Sequence, residues 1–246
     1  MAERRTGLAL LAAALLAAAP AWAGPPYVTD DPEPTRTGGW ENYALVSGVN
    51  TPGETAGVAG AELNYGAAEN LQLSALLPLA FDSTHSLRAG TGDVQLSAKY
   101  RFLHPPEGSW LPDAAVFPAL TLPTAPRRLD TGHASVFLPI WLEKDVGKWS
   151  TFGGGGYDIN PGRGQRDYGL VGWAVTRALS KRLNLGVELY HQTPQTIGGP
   201  AFTNLGFGAI YQLTKHWAVM ASGGPGLQHS AHVNDSAFYA SLQFTN

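Results

Sequence analysis

Hydrophobic and polar residues alternate without interruption from Asp93 to Phe102. Successive side chains of an extended strand point to opposite faces, so this pattern predicts a strand with one apolar and one polar face. The same two-residue period recurs at 71–79, 183–189 and 205–213. The chain is therefore predicted to consist of antiparallel strands that are each apolar on one side.

Twelve segments carry this pattern. Strands are expected at about 40–50, 58–66, 71–81, 93–103, 113–122, 134–144, 149–159, 168–178, 183–192, 202–213, 216–223 and 236–244. Their connections alternate between mostly short turns, such as 67–70 and 145–148, and longer loops, such as 51–57 and 224–235. This organisation is typical of a transmembrane antiparallel up-and-down β-barrel, so we expect an all-β protein with 40–246 as the barrel.

The first 23 residues have the pattern of a secretory signal peptide. Arg4 and Arg5 precede an apolar run at 8–19, and an A-x-A motif follows at 21–23. The run is shorter than the roughly 20 residues that a spanning helix needs. We therefore expect cleavage after Ala23 and export to the bacterial outer membrane.

Residues 24–39 form a proline-rich arm before the first predicted strand. Four prolines in this segment oppose regular strand pairing. The arm also carries an aromatic residue and an acidic cluster: Tyr27, Asp30, Asp31 and Glu33. We expect the cluster to meet Lys99 and Arg101, and the arm to restrict the lumen from the periplasmic mouth. A disordered tail is the alternative.

The polar strand faces predict the lining of the lumen, if the apolar faces meet lipid. The predicted lining residues are Glu62, Asn64, Gln72, Asp93, Gln95, Lys99, Arg101, Glu188 and Gln192. Their charges are expected either to pair across the interior or to line a path for solutes. Barrels of eight strands are filled by side chains, and those of sixteen hold an aqueous channel. We therefore expect a monomeric barrel whose twelve strands enclose a narrow or plugged path.

Aromatic residues gather near both ends of the predicted strands. Tyr43 and Trp141 are placed near the periplasmic end, and Tyr157 and Tyr190 near the outer end. Amphipathic rings prefer the headgroup level, so these residues predict two aromatic belts in contact with outer-membrane lipid.

Composition and chemistry narrow the functional classes. The chain has no cysteine and no basic cluster, which opposes thiol catalysis and nucleic-acid binding. His229, Ser230 and His232 are residue types of a nucleophile and base, but they crowd into one predicted loop. No catalytic residue, metal or cofactor is predicted. A lipid-modifying enzyme and a structural barrel without passage are the alternatives to a transporter.

Several short sequence blocks are distributed along the predicted mature chain. They are GPPYVTDDPEP at 24–34, ELNYG at 62–66, GD at 92–93, KYRF at 99–102, FP at 117–118, LPT at 122–124, W at 149 with GGGGY at 153–157, NPG at 160–162 and ELYHQTP at 188–194. In combination they resemble the outer-membrane β-barrel family of the MetA pathway of phenol degradation. The resemblance implies an outer-membrane barrel that passes small hydrophobic or aromatic compounds.

Overall fold

The computed structural model describes residues 25–83, 88–126, 133–228 and 235–246. The predicted signal peptide lies outside these residues. The strands are β1 (Trp40–Thr51), β2 (Glu54–Ala68), β3 (Leu71–Asp82), β4 (Arg88–Thr91), β5 (Val94–Leu103), β6 (Asp113–Val116), β7 (Ala119–Leu122), β8 (Ser135–Val146), β9 (Trp149–Ile159), β10 (Tyr168–Ala178), β11 (Leu183–Gln192), β12 (Phe202–Gln212), β13 (Trp217–Gln228) and β14 (Ser236–Thr245). No helix in these ranges is long and apolar enough to cross a membrane.

The strands form one closed antiparallel barrel with twelve strands in its wall. β1 pairs with β14, from Glu41 opposite Thr245 to Asn50 opposite Ser236, and this pairing closes the wall. β4 and β5 both pair with β3 and together make one wall strand. β6 and β7 both pair with β5 and β8 and make another. The predicted fold class is confirmed.

The two interrupted wall strands keep their hydrogen bonds across the interruptions. Proline has no N–H to donate to a ladder, so β6 ends before Phe117 and Pro118. The Pro118 carbonyl nevertheless accepts a hydrogen bond of 3.1 Å from the Ala98 amide. Gly92, in the other interruption, donates to the Pro78 carbonyl at 2.8 Å. The wall is therefore continuous at both places.

The barrel end that carries the longer connections is called the loop end below, and the opposite end, with the mostly short turns, is called the turn end. At the loop end, the lengths of some strands differ from the prediction. β1 and β2 are joined directly through Pro52 and Gly53, and Gly53 has a φ of 83°. Proline followed by a glycine with positive φ is typical of a type II turn. The predicted long loop at 51–57 is therefore wrong, because this turn lets both strands continue. β13 likewise extends to Gln228, beyond its predicted end.

The two faces of the wall have opposite polarity, as predicted. Leu73, Leu77 and Leu79 point outward and are 48–56% exposed. Gln72 and Lys99 point inward and are at most 6% exposed. A polar interior with an apolar exterior is the arrangement that suits a wall facing lipid.

Three aromatic residues assigned to the belts lie inside the barrel instead. Tyr43, Trp141 and Tyr190 are buried, with at most 7% of each exposed. Their depth along the strands agrees with the prediction, but their alternation places them on the inward face. Tyr157 does lie on the outer surface, with 52% exposed. Depth and face are independent properties of a strand residue, and the prediction used only depth.

Candidate functional site

The proline-rich arm runs inside the barrel. At the turn end, Thr37 forms a parallel bridge with Gly66 of β2, and Gly38 donates to the Gly66 carbonyl at 2.7 Å. Towards its other end, the Pro26 carbonyl accepts a hydrogen bond of 2.5 Å from the Ser222 hydroxyl, about halfway along β13. The arm therefore extends from the turn end to about the middle of the lumen.

Glu188 of β11 binds the arm near its tip. One carboxylate oxygen, Oε2, accepts from the Val28 amide at 3.1 Å. The other, Oε1, accepts from the Thr29 amide at 2.6 Å and from the Thr29 hydroxyl at 2.7 Å. Glu188 is 3% exposed, so these three donors replace the water that a carboxylate would otherwise bind.

Gln72 of β3 binds the arm closer to the turn end. Its side-chain oxygen accepts from the Thr35 amide at 2.7 Å and from the Thr35 hydroxyl at 2.8 Å. Its side-chain nitrogen donates to Asn64 at 2.9 Å and to Ser74 at 3.0 Å. Asn64 and Ser74 therefore hold the Gln72 amide in the orientation in which its oxygen accepts hydrogen bonds from the arm.

Lys99 of β5 pairs with the acidic cluster of the arm. Its ammonium lies 3.1 Å from Asp30 and 3.5 Å from Asp31, and it donates to the Glu33 carbonyl at 3.3 Å. The Lys99 and Asp31 side chains are each 6% exposed. Arg101, the second predicted partner of the cluster, instead donates to Asn70 at 3.1 Å.

The Asp31 carboxyl has an unusual environment for an acid. Burial raises its pKa to about 7, although the Lys99 ammonium acts in the opposite direction. The neighbouring Asp30 and Glu33 carboxylates add to the rise. Asp31 therefore titrates near neutral pH within the arm.

Tyr27 occupies space that two glycines of the wall leave free. A Cβ at Gly208 of β12 would lie 2.6 Å from three atoms of the Tyr27 side chain. A Cβ at Gly186 of β11 would collide with the Tyr27 hydroxyl. On another side, the Phe152 ring meets the Tyr27 ring edge-on, with centroids 5.8 Å apart. Larger residues at 186 or 208 would leave no room for this ring.

The remaining predicted lumen residues fall into two groups. Glu62 and Gln95 line a cavity beside Asp30 of the arm. Asp93 lies in the interruption between β4 and β5, where it accepts from the Ala125 amide at 2.9 Å. Gln192 lies at the loop end of β11 and donates to Gln195 at 2.8 Å. Asp93, Arg101 and Gln192 therefore do not join the arm contacts.

Three cavities lined by described residues border the arm. The first, called the apolar cavity below, has a volume of about 340 Å³, and its walls include Val28, Val49, Tyr190, Tyr239, Glu188 and Asn204. A second of about 200 Å³ lies on the other side of the arm tip, towards Glu62 and Gln95. A third of about 440 Å³ lies at the turn end, next to Asp31, Thr35 and His216. The arm lies between the first and third cavities.

Several residues of this site were absent from the sequence prediction. Thr29 and Thr35 of the arm donate to Glu188 and Gln72, Ser222 of β13 binds the arm, and Asn204 lines the apolar cavity. For Ser222 and Asn204 the available signal was their inward position in the strand alternation, together with the inward glycines of β11 and β12, whereas Thr29 and Thr35 lie in the arm, outside any strand. Threonine and serine hydroxyls are common in such strands, so alternation alone does not single them out.

A polar row lies on the outer surface near the loop end. His191 of β11 and Thr203 of β12 are cross-strand neighbours, with the His191 Nδ1 atom 2.9 Å from the Thr203 hydroxyl. That hydroxyl donates to the Gln228 side-chain oxygen at 3.0 Å. The predicted loop residues His229, Ser230 and His232 lie outside the described residues.

Comparison with known proteins agrees with this architecture. The COG4313 outer membrane channel from Pseudomonas putida F1 is 19% identical, with 88% of this chain and 97% of that chain covered and a TM-score of 0.66. The NanC porin is 9% identical, with 83% and 98% covered and a TM-score of 0.56. No curated protein matches the sequence. A family model described as "Putative MetA-pathway of phenol degradation" matches residues 27–233. The chain therefore belongs to this family and is a β-barrel of the bacterial outer membrane.

Proposed function

We propose that this barrel is a narrow passage for small hydrophobic or aromatic solutes and that the arm restricts its lumen. The observation that carries the proposal is the position of the arm tip at the floor of the apolar cavity, where Pro26, Tyr27 and Val28 form part of the lining. A solute in this cavity would meet the arm before it reached the turn end.

The size and lining of the apolar cavity suit a small arene. Its walls include Val49, Tyr190 and Tyr239, and its volume is about 340 Å³. An apolar cavity of about 150 Å³ is enough to bind benzene in another protein. A compact aromatic solute would therefore fit beside the arm without a change in the wall.

The contacts that hold the arm in the lumen would allow it to move. Apart from the bridge at Thr37, residues 25–39 form no strand pairing with the part of the wall that the structure describes. It is held by side chains of Gln72, Lys99 and Glu188, and these contacts can break without unzipping the barrel. We therefore propose that passage requires displacement of the arm tip within a single, monomeric barrel.

The outer polar row supports a function other than catalysis. A hydroxyl has one proton, and the Thr203 proton is directed to the Gln228 oxygen, which can only accept. The His191 Nδ1 atom must then donate to Thr203 rather than remove its proton. His191 is therefore not arranged as a general base for Thr203, and we propose that the barrel is not a lipid-modifying enzyme.

Entry of labelled toluene into cells tests this function. The cells should have an intact lipopolysaccharide layer, which slows hydrophobic solutes, and should express the full chain or carry an empty vector. We expect entry to be several-fold faster with the protein, and faster again with Glu188→Ala, which weakens the hold on the arm. Gln192→Ala, on the same inward face but without arm contact, is the matched control. Entry equal to the vector in every case would favour a structural barrel without passage.

A further inference from the structure

The Asn204 side chain is a buried polar group without a partner. It is 1% exposed, and neither its amide nitrogen nor its amide oxygen forms a hydrogen bond in the described structure. Buried side-chain amides are nearly always hydrogen-bonded, because an unmet donor or acceptor costs free energy. Asn204 also lines the apolar cavity, so a molecule in that cavity can supply the missing partner.

The strand register explains why the wall leaves Asn204 unpaired. Its neighbour on β13 is Gly226, which has no side chain, and a bulge lies between Thr203 and Asn204. On β11, Asn204 lies opposite Tyr190, and the Glu188 carboxylate, two residues away, is occupied by the arm. The wall therefore presents one unpaired side-chain amide to the apolar cavity, together with the buried Tyr239 hydroxyl, which also has no hydrogen-bond partner in the described structure.

We propose that the apolar cavity binds a neutral solute with a compact apolar body and one polar group that both donates and accepts hydrogen bonds, held by Asn204. A hydroxyl can donate to the amide oxygen or accept from the amide nitrogen, whereas a carboxamide can do both at once. This site deepens the proposed function, because it names the chemistry of the solute and rests on the same cavity.

The charge near the cavity excludes anionic solutes. A Cβ at Gly206 would lie 3.6 Å from the Glu188 Oε2 atom, so this carboxylate borders the space beside Asn204. A carboxylate solute would be repelled by the Glu188 carboxylate, and it could accept a hydrogen bond from the Asn204 side-chain nitrogen but could not donate one to the side-chain oxygen. The site is therefore expected to reject benzoate.

Equilibrium binding to the full mature protein in detergent tests the assignment. The probes are toluene, phenol, benzamide and benzoate, with empty micelles of the same detergent as the blank. We expect phenol, benzamide or both to bind about tenfold more tightly than toluene, the effect of one net hydrogen bond in a buried site. Benzoate should bind more weakly than toluene. Preference for only one polar probe would identify the solute as a hydroxyl or a carboxamide compound.

Two variants separate the polar contact from the cavity. Asn204→Leu should abolish the preference for polar probes while toluene binding is kept or improved. Gly206→Leu should weaken all probes, because a Cβ at 206 meets only ordinary contacts and the added side chain would fill the cavity. Heat-modifiable migration on gels checks that both variants are folded.

The result that overturns the proposal is equal binding of toluene, phenol and benzamide to the unaltered protein, or a polar preference that survives Asn204→Leu. Neither result depends on passage, since binding is measured in solution. Conversely, a polar preference that requires Asn204, together with toluene entry no faster than in vector cells, would leave the binding site standing and remove the proposed passage.

Discussion

Two groups of lumen residues, called the anchor side and the cavity side, differ in their contacts with the arm. The anchor side is formed by Gln72, Lys99 and Glu188, which bind the arm through buried hydrogen bonds and ion pairs. The cavity side is formed by Val49, Asn204 and neighbouring residues of β1 and β12–β14, which leave an open volume of about 340 Å³ that Glu188 also borders. One side fixes the arm and the other leaves space beside it.

The comparison shows how a barrel of this size can be restricted without being filled. Directional polar contacts give the arm one position, since each buried donor must meet an acceptor. Apolar and small residues of the cavity side need no hydrogen-bond partner, and they leave room for a solute. Changes at Gln72, Lys99 or Glu188 should therefore release the arm, whereas a change at Asn204, which makes no arm contact, should alter solute binding alone.

The largest effect is expected at Lys99. Lys99→Met leaves the buried Asp31 carboxylate and the partly exposed Asp30 carboxylate without their cation, which should cost about 3–5 kcal/mol of arm binding. The arm should then become sensitive to protease added at the turn end. Lys144→Met is the control, because Lys144 donates to turn carbonyls at Ser109 and Leu111. Equal protection of the arm in both variants would contradict the role of Lys99.

A smaller loss is expected at Glu188. Glu188→Ala removes the acceptor of three hydrogen bonds from the arm tip, and we expect a cost of about 1.5–3 kcal/mol. Native-state hydrogen exchange at the Thr29 amide measures the loss. The Thr35 amide, bound to Gln72, should be less affected. If Thr29 kept its full protection, Glu188 would not hold the tip.

Two glycines on one strand give a sharper contrast. Gly208→Ala places a Cβ 2.6 Å from the Tyr27 ring and should cost about 1–3 kcal/mol by overpacking. Gly206→Ala, two residues away on the same face, meets only Glu188 atoms at 3.6 and 3.8 Å and should be nearly neutral. Thermal unfolding and Thr29 exchange measure both. Similar losses in the two variants would argue against the Tyr27 contact.

The smallest effect is a dependence of arm binding on pH. The pKa of Asp31 is raised by burial to about 7, above its ordinary value, so the bound arm retains a proton that the free arm releases. Binding should therefore be strongest at acidic pH and weaken as pH rises through about 7. The charged or titratable groups around this carboxyl are Lys99, Asp30 and Glu33, together with the buried Glu143 carboxyl of β8.

Hydrogen exchange of the arm at pH 5 and pH 8 measures this dependence. Asp31→Asn is the comparison at each pH, since it removes the titrating group and leaves the intrinsic exchange rates of arm amides away from position 31 unchanged. The difference between pH 5 and pH 8 should shrink in this variant. A dependence of unchanged size would assign the titration to another group.

Strand alternation was sufficient to predict the barrel, its twelve wall strands and the polarity of its faces. Alternation reports which side chains share a face, and in Leu73 and Gln72 it does so unambiguously. It does not report interruptions such as Phe117–Pro118, because a neighbouring carbonyl or amide can maintain the wall there. Strand ends at 51–57 depended on a two-residue turn that the pattern does not encode.

The site was less predictable than the fold. The acidic cluster and Lys99 were foreseeable as opposite charges near one end of the barrel. The separation of Arg101 from the cluster was not, because it depends on how Asn70 is placed. The partners of Glu188 and Gln72 also depend on the path of the arm, which no local pattern specifies. Tertiary position decided these contacts.

Single-channel conductance tests the restriction by the arm most directly. The mature protein should be compared with a version lacking residues 24–37 and with full-length Lys99→Met, which keeps the arm but weakens its binding. We predict low conductance for the unaltered protein, a larger and steady conductance after deletion, and intermittent opening for Lys99→Met. Unchanged conductance in both altered proteins would contradict the account.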